Sequence, residues 1–219
     1  MQAAALKKKP GSTETDLGDG RRLRTENSRR KISEGFIALV AEGVVTPTAE
    51  EVALRAGVGV RSVFRHFKDM ETLYLELVAH SQHLTARLSA PLEKAPDLEA
   101  TLNKLVDERT QVYDSVMPFQ IAAQAHQHES ANLSLHGEQF AAQQRAALLD
   151  ALPKHLLKDK AIVEALNLAL SFDTWMRLRR EQRLSRPAAR RVVVLTCTAL
   201  LQDAAATSGT APRRSRPGP

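Results

Sequence analysis

Apolar residues recur at helical spacing along most of the 219-residue chain, and no segment alternates apolar and polar positions long enough to indicate a strand. A first helix is predicted from about Thr25 to Glu42, followed by Gly43 at a position where helices commonly end in a left-handed residue. Its apolar stripe consists of Ile32, Phe36, Leu39 and Val40. The pattern therefore predicts an all-α fold.

A short second helix is predicted from Ala49 to Ala56, because Thr48 and Glu51 have the spacing of a capping box and Gly57 can end the helix. A third helix is predicted after Gly59. Projected at 100° per residue, its apolar side consists of Val60, Val63, Phe64 and Phe67. Its polar side consists of Arg61, Ser62, Arg65 and His66. Two short helices joined by a glycine turn, the second with a basic side, predict a helix-turn-helix that contacts DNA bases and phosphates.

The rest of the chain predicts further helices. Asp69 is expected to cap a fourth helix and Asp97 a fifth, and Pro118 either kinks the fifth helix or opens the next one. Another helix is predicted from about Ser134 to Leu152.

The last two predicted helices, about 159–182 and 185–203, are apolar on more than one side. A helix with apolar residues on every side must be buried on every side. For helices near the end of the chain, a second subunit buries the sides that the chain itself leaves exposed. We therefore expect a homodimer through these two helices.

Composition and charge narrow the class of protein. A formal charge of +6 favours a polyanionic partner, and the single cysteine, Cys197, excludes an intramolecular disulfide and a cysteine-based zinc site. The N-terminus lacks the charged-then-apolar order of a secretory signal, and the longest apolar run, Val192 to Leu201, has about half the length needed to span a bilayer. We expect a cytoplasmic protein with no membrane partner. The sequence has no nucleophile motif, glycine-rich phosphate loop or paired catalytic carboxylates, so no enzyme is predicted.

The run TPTAEEVALRAGVGVRSVFRHFKDMETLYLEL, from Thr46 to Leu77, closely resembles the N-terminal DNA-binding domain of TetR-type transcriptional regulators. The usual form of that domain is a Thr-capped helix followed by IAxxAGVSxGTLYxHFxSKExL. The matching positions are Val52-Ala53, Ala56-Gly57-Val58, His66-Phe67, Glu71 and Leu73. The resemblance implies a ligand-responsive repressor that binds a pseudo-palindromic operator on double-stranded DNA as a homodimer. It implies DNA contacts through Thr48, Val60, Arg61, Ser62, Phe64, Arg65 and His66.

Three residues depart from the family pattern. Gly59 stands where the family prefers a serine, Phe64 replaces a tyrosine and Met70 replaces a lysine, so one helix cap and two phosphate contacts are lost. Basic residues near the N-terminus offer other contacts to DNA that compensate for the lost phosphate contacts: Lys7, Lys8, Lys9, Arg21, Arg22 and Arg24. These departures leave open an alternative: a regulator-derived helical module that binds a small molecule or a protein and has weakened DNA binding.

Polar composition without an apolar period predicts a disordered arm over residues 1–20 and a disordered tail over 205–219. The resemblance implies the DNA-binding domain over 21–68 and a helical ligand-binding and dimerisation domain over 69–204. The aromatic candidates for the walls of an effector pocket are Tyr113, Phe119, Phe140, Phe172 and Trp175, although aromatics at helical spacing are more often plain core. A mostly apolar effector of unknown identity is expected.

Histidines raise the possibility of a metal site. His80 and His83 lie one turn apart, and His126 and His128 stand beside Glu129. Histidines on helix surfaces with no common partner are far commoner than metal ligands, so no metal and no cofactor are predicted.

Overall fold

The computed structural model describes residues 14–86 and 96–209. Its regular structure there is helical throughout, so the predicted all-α fold is confirmed. The α-helices are α1 (Glu14–Ala41), α2 (Ala49–Ala56), α3 (Val60–His66), α4 (Met70–Thr85), α5 (Leu98–His126), α6 (Ala131–Ala151), α7 (Lys160–Ala169), α8 (Phe172–Met176) and α9 (Arg186–Gly209). None of these helices combines the length and the apolar character needed to cross a bilayer.

The described residues form two compact units, one up to residue 73 and one from residue 74 onwards, which divide within α4. The boundary expected at residue 68 falls just before this helix. Asp69 accepts a hydrogen bond from the Thr72 amide at 3.0 Å, so the predicted cap of α4 is confirmed.

In the first unit, helices α1, α2 and α3 pack around one small core. The core residues are Ile32, Phe36, Val40, Val52, Ala53, Val63 and Phe67. Gly35 lies where α1 meets the end of α2, and a Cβ there would lie 3.3 Å from Arg55 Cγ and 3.4 Å from the Ala56 nitrogen. A glycine at this crossing lets the two helices approach closely.

The turn between α2 and α3 is built by local contacts that the sequence predicts. The Thr48 hydroxyl accepts from the Glu51 amide at 3.2 Å and the Glu51 carboxylate accepts from the Thr48 amide at 2.8 Å, so the capping box is confirmed. Gly57 ends α2 at φ 66°, and the Val58 amide donates to the Ala53 carbonyl at 3.0 Å. This backbone pattern is a Schellman motif, and it directs the chain into α3.

Two glycines of this turn give a matched test of the backbone. Neither position has another atom within 4 Å of an added Cβ, but Gly57 is left-handed whereas Gly59 has φ −77°. Gly57→Ala should lower the free energy of unfolding by about 1–2 kcal/mol because an alanine is strained in the left-handed region. Gly59→Ser should raise it by a few tenths of a kcal/mol because serine supplies the missing side-chain cap of α3. Urea unfolding followed by circular dichroism measures both, and equal effects would contradict this reading of the turn.

In the second unit, α5 packs against α6, α8 and α9, and α7 packs against α6 and α9. The core between them is aliphatic and aromatic, and its fully buried members include Tyr113, Val116, Leu148, Leu166 and Trp175. Cys197 is part of this core, where burial raises the pKa of its thiol to about 11. The cysteine is therefore a neutral core residue.

A buried polar network lies inside this core. The Arg109 guanidinium donates to the Leu170 carbonyl at 3.0 Å and to the Gln144 carbonyl. The Tyr113 hydroxyl lies 2.6 Å from Gln144 Oε1, which also accepts from the Phe172 amide at 3.3 Å. Backbone carbonyls thus solvate the buried cation, and the same contacts fix the start of α8 against α5 and α6.

Several predicted boundaries are wrong. Helix α1 begins at Glu14, so the arm expected over 1–20 is helical from residue 14, and residues 1–13 lie outside the described ranges. A helix that is already nucleated extends without a further nucleation cost, and α1 continues in this way through Gly18 and Gly20. Helix α9 likewise continues to Gly209, past the expected start of the tail at residue 205, and residues 210–219 are not described.

The predicted helix over 159–182 is interrupted. Ser171 accepts from the Thr174 amide at 3.1 Å and starts α8, and the α-helical pattern then gives way to a π-helical turn over Arg177–Glu181. In contrast, Pro118 opens no new helix and lies inside α5. Helix α6 begins at Ala131 and not at Ser134, because the Ser130 hydroxyl caps it by accepting from the Leu133 amide at 3.2 Å.

Candidate nucleic-acid interface and ligand cleft

The outer surface of α3 carries two cations and an aromatic ring, and we call Arg61, Phe64 and Arg65 the recognition face. All three side chains are exposed, and they lie within about one turn of one another. Arg65 Nη2 donates to the Ser62 hydroxyl at 3.4 Å, which holds the guanidinium along the helix. This face offers ten guanidinium N–H donors in all, a set suited to guanine edges and phosphate oxygens.

Phe64 is the main departure from the predicted division of α3. The sequence placed it on the packed side together with Val63 and Phe67, but its side chain is 51% exposed whereas the other two are buried. Val60 is partly buried. The helix is only two turns long and packs through a narrow stripe, so a residue at the edge of the apolar arc stays in solvent.

His66 lies partly inside the first unit. Its Nε2 is buried without a hydrogen-bond partner among the residues that the structure describes, and desolvation, aided by Arg65 and Arg29, lowers the pKa of the imidazole. Arg29 also lies over the Phe67 ring at 4.9 Å. The imidazole is therefore neutral and less accessible than the recognition face beside it.

Thr48 stands exposed at the start of α2, where its hydroxyl is already engaged. It donates to Glu51 Oε2 at 2.9 Å, and these hydrogen bonds lower the pKa of the Glu51 carboxyl. A phosphate that binds here must share the hydroxyl with Glu51.

The second unit contains a cleft of about 610 Å³ between α5, α6 and the start of α8. This volume lies in the range of small-molecule sites. Two of the aromatic residues named from the sequence, Phe140 and Phe172, line it. Tyr113 and Trp175 line a separate small cavity inside the core, and Phe119 packs edge-on against His80 with ring centroids 5.2 Å apart.

The cleft is more polar than the apolar pocket expected from the sequence. Its polar lining consists of Gln120, Gln124, Gln127, His128, Ser134, His136, Glu138, Gln144, Ser171 and Asp173. Helix periodicity found the aromatic residues because they are apolar. The sequence carries a different signal for this polar lining. Gln120, His136 and Gln144 are polar residues at positions that helical spacing assigns to a buried face.

Burial of His136 makes the stability of the second unit depend on pH. Desolvation lowers the pKa of His136 below its ordinary value of 6.5, so the folded state disfavours the imidazolium. The resulting stabilisation is fully present above about pH 6.5 and is lost as the pH falls towards the lower folded-state pKa. We expect His136→Gln to weaken the loss of stability between about pH 7.5 and pH 5.5, as measured by thermal unfolding across that range. A variant that loses stability with acid as steeply as the wild type would contradict this role.

Two of the histidines considered as metal ligands, His80 and His126, contact aromatic rings. His126 stacks on Tyr74 with ring centroids 4.3 Å apart, and its Nδ1 lies 3.5 Å from Glu129 Oε2. Over the described residues, no three His, Cys, Asp or Glu side chains come together in a group that could hold a metal ion.

The first unit contains a capped two-helix turn with an exposed basic face, and the second unit is all-helical and contains a cleft. This combination defines the class of helix-turn-helix DNA-binding proteins. Residues 39–77 match the model of bacterial regulatory proteins of the tetR family. The match covers the end of α1, all of α2 and α3, and the first half of α4, so these helices are similar to those of tetR-family regulatory proteins.

Solved structures share the fold beyond that domain. A tetR-family transcriptional regulator from Streptomyces coelicolor is similar with a TM-score of 0.64 and 18% sequence identity, over 83% of each chain. A transcriptional regulator from Rhodococcus sp. Rha1 is similar with a TM-score of 0.60 and 17% identity, over 80% of this chain and 96% of the other. None of the curated protein sequences matches significantly.

Proposed function

We propose that this protein is a TetR-family, ligand-responsive repressor that binds a pseudo-palindromic operator as a homodimer. The observation that carries the proposal is the recognition face: Arg61, Phe64 and Arg65 are exposed on the second helix of a capped helix-turn-helix. Two such faces, related by a two-fold axis, fit successive major grooves about 34–36 Å apart.

Each residue of the motif has a proposed role. Arg61 and Arg65 read guanine edges or bind phosphate, and Phe64 offers an apolar surface for a thymine methyl group. Ser62 and His66 add hydrogen bonds to bases, Val60 packs against the groove edge, and Thr48 binds a phosphate by sharing its hydroxyl with Glu51.

A stripe of exposed apolar residues supports the homodimer, and we call Leu168, Val192, Leu195 and Ala199 the apolar stripe. Leu168 on α7 and Leu195 on α9 are each 68% exposed, and α7 and α9 pack against each other. Val192, Leu195 and Ala199 follow the spacing of one helix face. Covering this stripe with the same stripe of a second subunit forms an isologous interface.

The cleft in the second unit supports the ligand response. It is of a size for a small molecule, and it is lined by the start of α8, which the buried Arg109 network joins to α5 and α6. A ligand that binds one arrangement of these helices more tightly than another shifts the equilibrium between the two arrangements. If the arrangements also differ in DNA affinity, ligand binding and DNA binding are linked by one coupling free energy.

Footprinting tests the proposed repressor. The full-length protein at low salt should protect a site with two-fold symmetry in the DNA upstream of its own or a neighbouring gene. Protection should fall steeply as the salt concentration rises, because phosphate contacts release counterions. A protein that protects none of these regions at low salt would contradict the proposal.

A further inference from the structure

The cleft has two buried polar side chains whose hydrogen bonds are incomplete. Gln120 is 3% exposed and His136 is 8% exposed, and both line the cleft. The amide nitrogen of Gln120 and both ring nitrogens of His136 have no hydrogen-bond partner in the described part of the chain. Buried polar groups are nearly always paired, so these atoms point to a polar ligand.

The chemistry of these two side chains limits the part of the ligand that meets them. A neutral imidazole has one donor and one acceptor nitrogen, and the amide nitrogen of Gln120 is a donor. The matching ligand group must both accept and donate hydrogen bonds. Hydroxyl groups meet this requirement, and a carboxylate, which only accepts, does not.

The charged residues of the cleft limit the other end of the ligand. Glu138 and Asp173 are exposed at the cleft, and no Lys or Arg is among its described lining residues. Asp173 accepts from Gln124 at 3.4 Å, which fixes one carboxylate oxygen and leaves further acceptor sites on the carboxylate. This arrangement attracts a cation and repels an anion. Phe140 and Phe172 supply apolar contact in the same cleft.

We infer that the cleft binds a hydroxylated amine, with its hydroxyl groups on Gln120 and His136 and its ammonium group near Asp173 and Glu138. The inference rests on the proposed function, because it names the chemical class of the effector. It replaces the apolar effector expected from the sequence.

Gly137 offers a way to close the cleft without disturbing the core. It lies within α6 and lines the cleft, and an added Cβ would meet only Gln127 Oε1, at 3.8 Å. A larger side chain here projects into open space. Gly137→Leu should therefore fill the cleft while the helix keeps or gains stability, since glycine is a poor helix former.

Hydroxylated probes of similar size that carry a positive, zero or negative charge test the inference on the full-length protein. One set is glucosamine, glucose and glucuronate, and a second set is tyramine, tyrosol and para-hydroxyphenylacetate. Binding is measured from the imidazole signals of His136 in NMR spectra, assigned with His136→Gln. The amine of at least one set should bind about tenfold or more tightly than its carboxylate counterpart. Gly137→Leu should weaken that binding by a similar factor and remain folded by circular dichroism.

Three results would overturn the inference: carboxylates that bind as tightly as the amines, no binding by any probe, or amine binding that Gly137→Leu leaves unchanged. The proposed repressor function is tested separately, by measuring DNA binding in the absence of any probe. A protein that binds DNA and prefers carboxylates contradicts the inference alone. A protein that binds the amines in this cleft and binds no DNA contradicts the proposed repressor alone.

Discussion

Replacing Arg61 and Arg65 together with alanine is expected to abolish specific DNA binding. Each arginine that contacts a guanine contributes about 1–3 kcal/mol of discrimination, and a dimer carries both arginines twice. The operator affinity should therefore fall at least about a thousandfold, towards the affinity for unrelated DNA. Fluorescence anisotropy with labelled operator and scrambled duplexes measures both affinities. Both arginines are exposed, so the first unit should remain folded.

A matched variant separates specific contacts from loss of charge. Lys154→Ala together with Lys158→Ala removes the same number of positive charges from exposed positions between α6 and α7. This control should keep nearly all of the operator affinity. If the wild type and the arginine variant both bind the operator duplex no more tightly than the scrambled duplex, the alternative is favoured: a regulator-derived module whose DNA contacts have decayed, in agreement with the uncapped Gly59 and with a phenylalanine at position 64.

Leu195→Glu is expected to convert the proposed dimer into a monomer. The side chain is 68% exposed in the single chain, so the substitution should leave the fold intact, but in the dimer it places a carboxylate in an apolar interface. Operator affinity should fall at least about a hundredfold, because two half-sites are no longer bound by one linked pair of subunits. Light scattering coupled to size exclusion gives the mass, and anisotropy gives the affinity.

Leu135→Glu is the matched control for the interface. Leu135 is 51% exposed on α6 of the same unit and lies outside the apolar stripe. This variant should remain a dimer with unchanged operator affinity. A Leu195→Glu protein that keeps the mass of a dimer would show that the subunits associate through another surface.

The turn that positions the recognition face could be predicted because its determinants are local. The capping box of Thr48 and Glu51 and the left-handed Gly57 act within a few residues, and the structure contains both. Exposure depends on packing between helices, so the sequence misplaced Phe64, which lies at the edge of the apolar arc of a two-turn helix.

The second unit could be predicted less well because its features depend on long-range contacts. The break between α7 and α8 has a local signal, Ser171 three residues before Thr174, but its position also depends on Arg109 binding the Leu170 carbonyl across the core. The cleft combines residues of three helices, and its most informative members, Gln120 and His136, are polar residues on buried faces. Hydrophobic periodicity carries no information about how such residues come together.

The most direct test of the claim that the recognition face reads DNA as a symmetric pair is the selection of bound duplexes from a random DNA pool. The selection uses the full-length protein. We expect an enriched motif of two inverted half-sites whose centres are one helical turn or a small multiple apart, and no enrichment by the Arg61→Ala, Arg65→Ala protein. An unchanged pool, or the same motif enriched by the variant, would contradict it.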